Sequence, residues 1–135
     1  MINYTDTLRK HNLKATPQRI AIVDALFLNG HVSTESLYSI MLEKFSSISL
    51  ATIYKNINLM LENCLIYEVK LPHAKSVYEL TKSSHSHLLC KKCGNIEDVD
   101  INLETLVDKI SKITEFQIDK TDFVLSGNCK NCHSF

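Results

Sequence analysis

Apolar side chains recur every three to four residues in three successive stretches of the first half of the chain. In the first stretch, Pro17 presets an opening helical turn, Ile20, Val23 and Phe27 follow on one face, and Asn29-Gly30 ends the run. In the second, Ser33 or Thr34 caps a helix whose Leu37, Met41 and Phe45 keep the period until Ser46-Ser47 interrupts it. In the third, Ser49 caps a helix with Leu50, Ile53, Ile57, Met60 and Leu61 on one face. Thr52, Lys55 and Asn58 lie opposite, and Leu59 interrupts that polar side. The pattern then shortens: Leu65 to Leu71 and Ser76 to Leu80 read as strands around Pro72-His73-Ala74-Lys75, a hairpin. Three helices followed by a hairpin predict a winged helix-turn-helix, whose third helix enters the DNA major groove.

Beyond this, Thr81 to His85 reads as a linker. Ile96 to Val99 then predicts a strand, Leu103, Leu106, Val107, Ile110 and Ile113 a helix, and Phe116 to Leu125 a further strand. The expected fold is α+β, with a winged-helix DNA-binding domain over residues 1–82 and a smaller α/β domain over 83–135. At 135 residues and 44% hydrophobic the chain is short for two independently stable domains. The second lobe is poor in apolar residues, so bound metal and dimer formation are the expected sources of its stability. An apolar run of 18 residues and an N-terminal signal pattern are both missing, which points to a cytoplasmic chain without a membrane partner.

Four of the five cysteines form two matched pairs, Cys90/Cys93 and Cys129/Cys132. Two residues between the members of a pair let a tight turn direct both sulfurs at one ion, and four thiolates satisfy tetrahedral Zn²⁺. The long stretch between the pairs has room for the predicted helix and strands, so the site should staple the second domain. A pair of redox motifs is the rival reading, but such a motif is normally single and opens a helix. Cys64 is left over, and its place after an apolar helix suggests a buried, inert thiol.

Net charge is zero overall, which gives no support to a strongly basic nucleic-acid binder and leaves local patches to decide. Residues 1–82 nevertheless carry nine Lys/Arg against seven Asp/Glu, and residues 83–135 six against eight. The third helix is short of acids. Its Ser49, Thr52, Tyr54, Lys55, Asn56 and Asn58 form the kind of hydroxyl, amide and ring surface that meets phosphates and base edges. Lys14, Arg19 and Lys55 are candidate backbone contacts, with Lys70 and Lys75 reaching from the hairpin.

His85 and His87 alternate in an extended segment and so emerge on the same side. His31, Glu79 and Asp98 are further donors on segments able to converge with them, a set suited to Fe²⁺, Mn²⁺ or Zn²⁺. His11, His73 and His133 have no evident partners and are expected at the surface.

Leu13-Lys14-Ala15-Thr16-Pro17-Gln18-Arg19, Ser49 through Asn56, Tyr78-Glu79-Leu80 and His85 through Gly94 together resemble the ferric uptake regulator family over nearly the whole chain. The resemblance implies a homodimeric, metal-dependent bacterial repressor that binds a palindromic double-stranded DNA operator and dimerises through its C-terminal domain. It places structural Zn²⁺ on Cys90, Cys93, Cys129 and Cys132. A regulatory Fe²⁺ or Mn²⁺ would fall on His31, Glu79, His85, His87 and Asp98, joining the two domains. Family members with a further metal in the dimerisation domain carry a carboxylate and a histidine where this chain has Ser86 and Thr121, so that site is not expected.

Asp98 is similar to the aspartate of the peroxide-sensing branch, whereas Glu79 looks like the iron-responsive pattern. The chain leans toward peroxide sensing, with His31 and His85 as the oxidation-sensitive ligands; an iron- or zinc-uptake regulator is the alternative. From other classes, a zinc enzyme lacks its His-Glu-x-x-His or deaminase signature here. A thiol redox switch would need cysteines that react rapidly in the folded protein.

Overall fold

A computed structural model describes residues 2–83 and 85–133; Ser84, within the expected linker, lies outside them. The chain divides into two compact units, Met1–Lys82 and Ser83–Phe135.

The first unit opens with a helix that the sequence pattern did not reveal, α1 (Tyr4–Lys10). It buries only Leu8, too little for a visible period. Its local signals are a cap and charge placement: the Asn3 side chain accepts from the Asp6 N–H, with Arg9 and Lys10 in the last turn. Then follow α2 (Pro17–Asn29), α3 (Thr34–Lys44) and α4 (Leu50–Glu62), capped by Thr16, Ser33 and Ser49. Gly30 ends α2 at φ 76°, a conformation that favours glycine.

Ala21, Ile22, Val23, Ala25 and Leu26 of α2 close against Leu37 and Met41 of α3 and Ile53, Ile57 and Met60 of α4. Two positions expected on apolar faces turn outward. Phe27 is half exposed and meets the Tyr4 ring edge-on at 6.2 Å, and Leu50 sits in the exposed first turn of α4. Leu59, the interruption on the polar side, is partly buried and joins the core.

The wing consists of β1 (Ile66–Val69) and β2 (Val77–Leu80), antiparallel with Ile66 opposite Leu80 and Val69 opposite Val77. An isolated bridge also ties β2 to the turn after α2: the Val32 N–H donates to the Tyr78 carbonyl at 3.0 Å and the Tyr78 N–H to the Val32 carbonyl at 2.8 Å. Winged helix-turn-helix order is therefore present as expected.

In the second unit β3 (Ser86–Cys90) is the middle strand of three. It pairs antiparallel with β4 (Ile96–Val99) and parallel with β5 (Val124–Gly127), and α5 (Glu104–Thr114) runs between those two in the chain. The long strand expected from Phe116 is corrected to β5 alone. His87 to Cys90 of β3 pair with this side opposite Val124 to Gly127, and the Phe123 carbonyl accepts from the His87 N–H at 3.1 Å, so the ladder takes up only the end of the expected strand. Among the described residues this unit buries Ser86, His87, Leu89 and Cys90, and no residue of α5 is buried. No described helix is long and apolar enough to cross a membrane.

Candidate metal centres and nucleic-acid interface

The end of β3 and two turns assemble the four paired cysteines. Gly94, at φ 77°, lets the chain reverse after Cys90, and its N–H donates to the Cys90 carbonyl at 2.9 Å. The second turn closes where the Cys132 N–H meets the Cys129 carbonyl at 2.9 Å. All four sulfurs lie within 4.8 Å of one another, and Cys93 Sγ stands 3.8 Å from Cys129 Sγ. A Zn–S bond of about 2.3 Å in a tetrahedron separates its sulfurs by about 3.8 Å, whereas a disulfide requires about 2.05 Å.

The electrostatics also call for a cation. Backbone N–H groups of Cys93 and Cys129 point at Cys90 Sγ, at 3.5 and 3.3 Å, and lower its thiol to about 6. The Cys132 thiol is pushed up to about 12, by its contact with Cys129 first and burial second. One sulfur ionises readily and the crowded cluster resists further charge. Zn²⁺ resolves that conflict by taking all four as thiolates, so the set fits the ion.

Two smaller donor sets lie elsewhere, one in each unit. In the first, the Val32–Tyr78 bridge places His31 beside Glu79, and His31 Nε2 lies 2.9 Å from Glu79 Oε2. Glu79 is only 2% exposed, a buried carboxylate that needs a positive or hydrogen-bonding partner. In the second, His87 and Asp98 face each other across the β3–β4 ladder. His87 Nε2 is 3.5 Å from Asp98 Oδ1, His85 Nε2 is 3.7 Å from the same oxygen, and the two Nε2 atoms are 3.0 Å apart. His85 Nδ1 donates to the Ser83 carbonyl at 2.8 Å, which leaves Nε2 as the lone-pair nitrogen aimed at the cluster. This backbone orienter has no signature in side-chain sequence.

On the first unit, Lys14, Tyr54, Lys55 and Asn58 are exposed, and Thr52 is half-buried. Ser49 Oγ accepts from the Thr52 N–H at 3.1 Å, so this hydroxyl caps α4 as well as standing at its surface. Asn56 departs from the expected exposed face. It is 7% exposed, its Oδ1 accepts from Arg19 Nε at 3.1 Å, and its Nδ2 donates to the Thr52 carbonyl at 3.0 Å. Arg19 Nη1 also donates to the Lys14 carbonyl at 3.3 Å. On the wing Lys70 is exposed, while Lys75 Nζ pairs with Glu35 Oε1 at 2.7 Å.

Cys64, expected to be buried, is exposed and holds φ 58° in the turn that leaves α4. The turn demands a left-handed residue there, and that conformation turns the thiol away from the core. His73 is exposed; His11 is half-buried, with Nδ1 2.9 Å from the Asn63 carbonyl oxygen.

Comparison with known proteins follows the same pattern. The model of the ferric uptake regulator family matches residues 10–126. The chain is 31% identical over 144 residues to the ferric uptake regulation protein of Bacillus subtilis (strain 168), covering 98% of this chain and 97% of that one. It is 30% identical over 128 residues to the peroxide-responsive repressor PerR of Staphylococcus epidermidis, covering 93% and 85%. The crystal structure of the Campylobacter jejuni peroxide stress regulator superposes with a TM-score of 0.74 at 32% identity, over 97% of this chain and 100% of that one.

Proposed function

This chain belongs to the ferric uptake regulator family of metal-dependent repressors, and from that premise we propose that it represses transcription as a homodimer on a palindromic DNA operator. The switch in this reading is one divalent ion shared by the histidine and carboxylate sets of the two units. The observation that carries it is the convergence of His85, His87 and Asp98 within 3.7 Å, with His85 already turned by the Ser83 carbonyl. Two donors in one unit and three in the other are each short of a full shell for Fe²⁺ or Mn²⁺, which accept imidazole and carboxylate together.

His31 and Glu79 are joined to the wing through the Val32–Tyr78 bridge, so ligation there bears directly on the hairpin and on the helices behind it. Ligation favours the DNA-ready arrangement because that arrangement offers all the donors at once. Lys14, Arg19, Ser49, Thr52, Tyr54, Lys55 and Asn58 then meet the operator, Lys14 and Arg19 at phosphates, with Asn56 behind them. Homodimer formation is supported by α5, whose Leu106, Ile110 and Ile113 are exposed along with Phe116. Operator affinity measured with and without Mn²⁺ tests the switch: equal affinities remove it.

Fe²⁺ held by these donors would mediate the reduction of hydrogen peroxide, with one peroxide oxygen passing to a ligand ring, the other leaving as water, and the ring giving up the two electrons of the net reaction. In the peroxide-sensing form of the proposal, the ring of His31 or His85 gains one oxygen, ceases to ligate, and the DNA is released. Asp98 supports this form. Mass spectrometry of the peroxide-treated iron protein should show that added oxygen on a peptide containing His31 or His85. Its absence favours the second reading, an iron- or zinc-uptake regulator, to which Glu79 points.

A further inference from the structure

Asn56 is the polar residue on an otherwise apolar inner face of α4, beside Ile53, Ile57 and Met60. An aliphatic side chain at this position would extend that face, and an amide placed there costs free energy unless it is paired. Both ends of the amide are paired, and the partner reached across the fold is Arg19 in the first turn of α2. With Nε held by Asn56 and Nη1 by the Lys14 carbonyl, two contacts on one edge fix the plane of the guanidinium. The fork has more donors than these contacts use, and a planar, preset fork suits a phosphate better than a freely rotating one.

We propose that Asn56 is a positioning residue that presets the Arg19 guanidinium for a DNA phosphate, an inference that rests on the DNA-binding reading above. Ordering the side chain before the encounter removes part of the entropy otherwise lost on binding.

The test uses the full-length Mn²⁺- and Zn²⁺-loaded protein and duplex DNA selected by that protein from a random library. Wild type, Asn56→Leu, Arg19→Ala and the double variant form a cycle read by affinity and by its salt dependence, with thermal melting checking the fold. Asn56→Leu should weaken binding about tenfold in the wild-type background and lower the salt slope by about one. It should change neither quantity further once Arg19 is removed. An equal loss with and without Arg19, or no loss, overturns the proposal. Arg19→Lys does not depend on the Asn56 variant folding. It keeps the charge but not the planar fork, so it should bind more weakly than wild type, and wild-type affinity there also overturns the proposal. Failure of the wild-type protein to bind any duplex would instead remove the DNA-binding reading, and this inference with it.

Discussion

Residues 1–82 close a core around Leu8, Ile22, Leu26, Leu37, Met41, Ile53 and Met60, each at most 1% exposed, whereas the described part of residues 83–135 buries four side chains, two of them polar. The first unit is organised by apolar burial, at about 1.5–3 kcal/mol for each large side chain removed from water. The second gathers four sulfurs and leaves Ile110, Ile113 and Phe116 exposed. Its stability therefore depends on what binds it: a structural Zn²⁺ site contributes about 10–16 kcal/mol of apparent binding free energy, comparable to or larger than the whole stability of a small domain.

The difference is sharpest on removing the ion. Cys129→Ser, or exhaustive chelation, should unfold the second unit while the first keeps its helices, leaving a noncooperative melt and partial loss of helical circular dichroism. An all-or-none loss of both units would erase the distinction. Next in size is a cavity in the first unit: Ile57→Ala should cost about 2–5 kcal/mol in denaturant unfolding of that unit without releasing zinc. Smaller again is Ser49→Ala, which removes the α4 cap and should cost about 1 kcal/mol. A larger effect of Ser49→Ala on DNA affinity than on stability would mark that hydroxyl as a contact as well as a cap.

The two units also differ in how much their sequences disclose. Helices α2 to α4 and the wing were legible because each buries a face whose period repeats over several turns between recognisable caps and breakers. Helix α1 was hidden because Leu8 alone is buried and one residue makes no period. In the second unit the cysteine spacing named its own site, since a turn of that length brings two sulfurs to one point. The strand expected from Phe116 failed because β-pattern describes a half-buried surface and does not supply a neighbouring strand.

At the candidate switch, His85 and His87 were legible from their alternation. The pairing of His31 with Glu79 was legible as candidates only, because it depends on a single β-bridge between segments far apart in the chain. Asn56 lies on the inner face of its helix, not on the exposed face its type suggests. Its residue type suits a DNA surface, and only the position of Arg19 shows why an amide is tolerated within the core face.

The central claim is that one ion draws on both donor sets, and a Mn²⁺ titration of the zinc-loaded protein tests it most directly, with ion binding and operator affinity followed together in wild type, His31→Ala and His87→Ala. The account expects each variant alone to lose the same high-affinity ion and the ion-dependent gain in DNA binding, while retaining zinc and its melting profile. If either variant keeps the ion and the gain, a single set suffices and the shared site is contradicted.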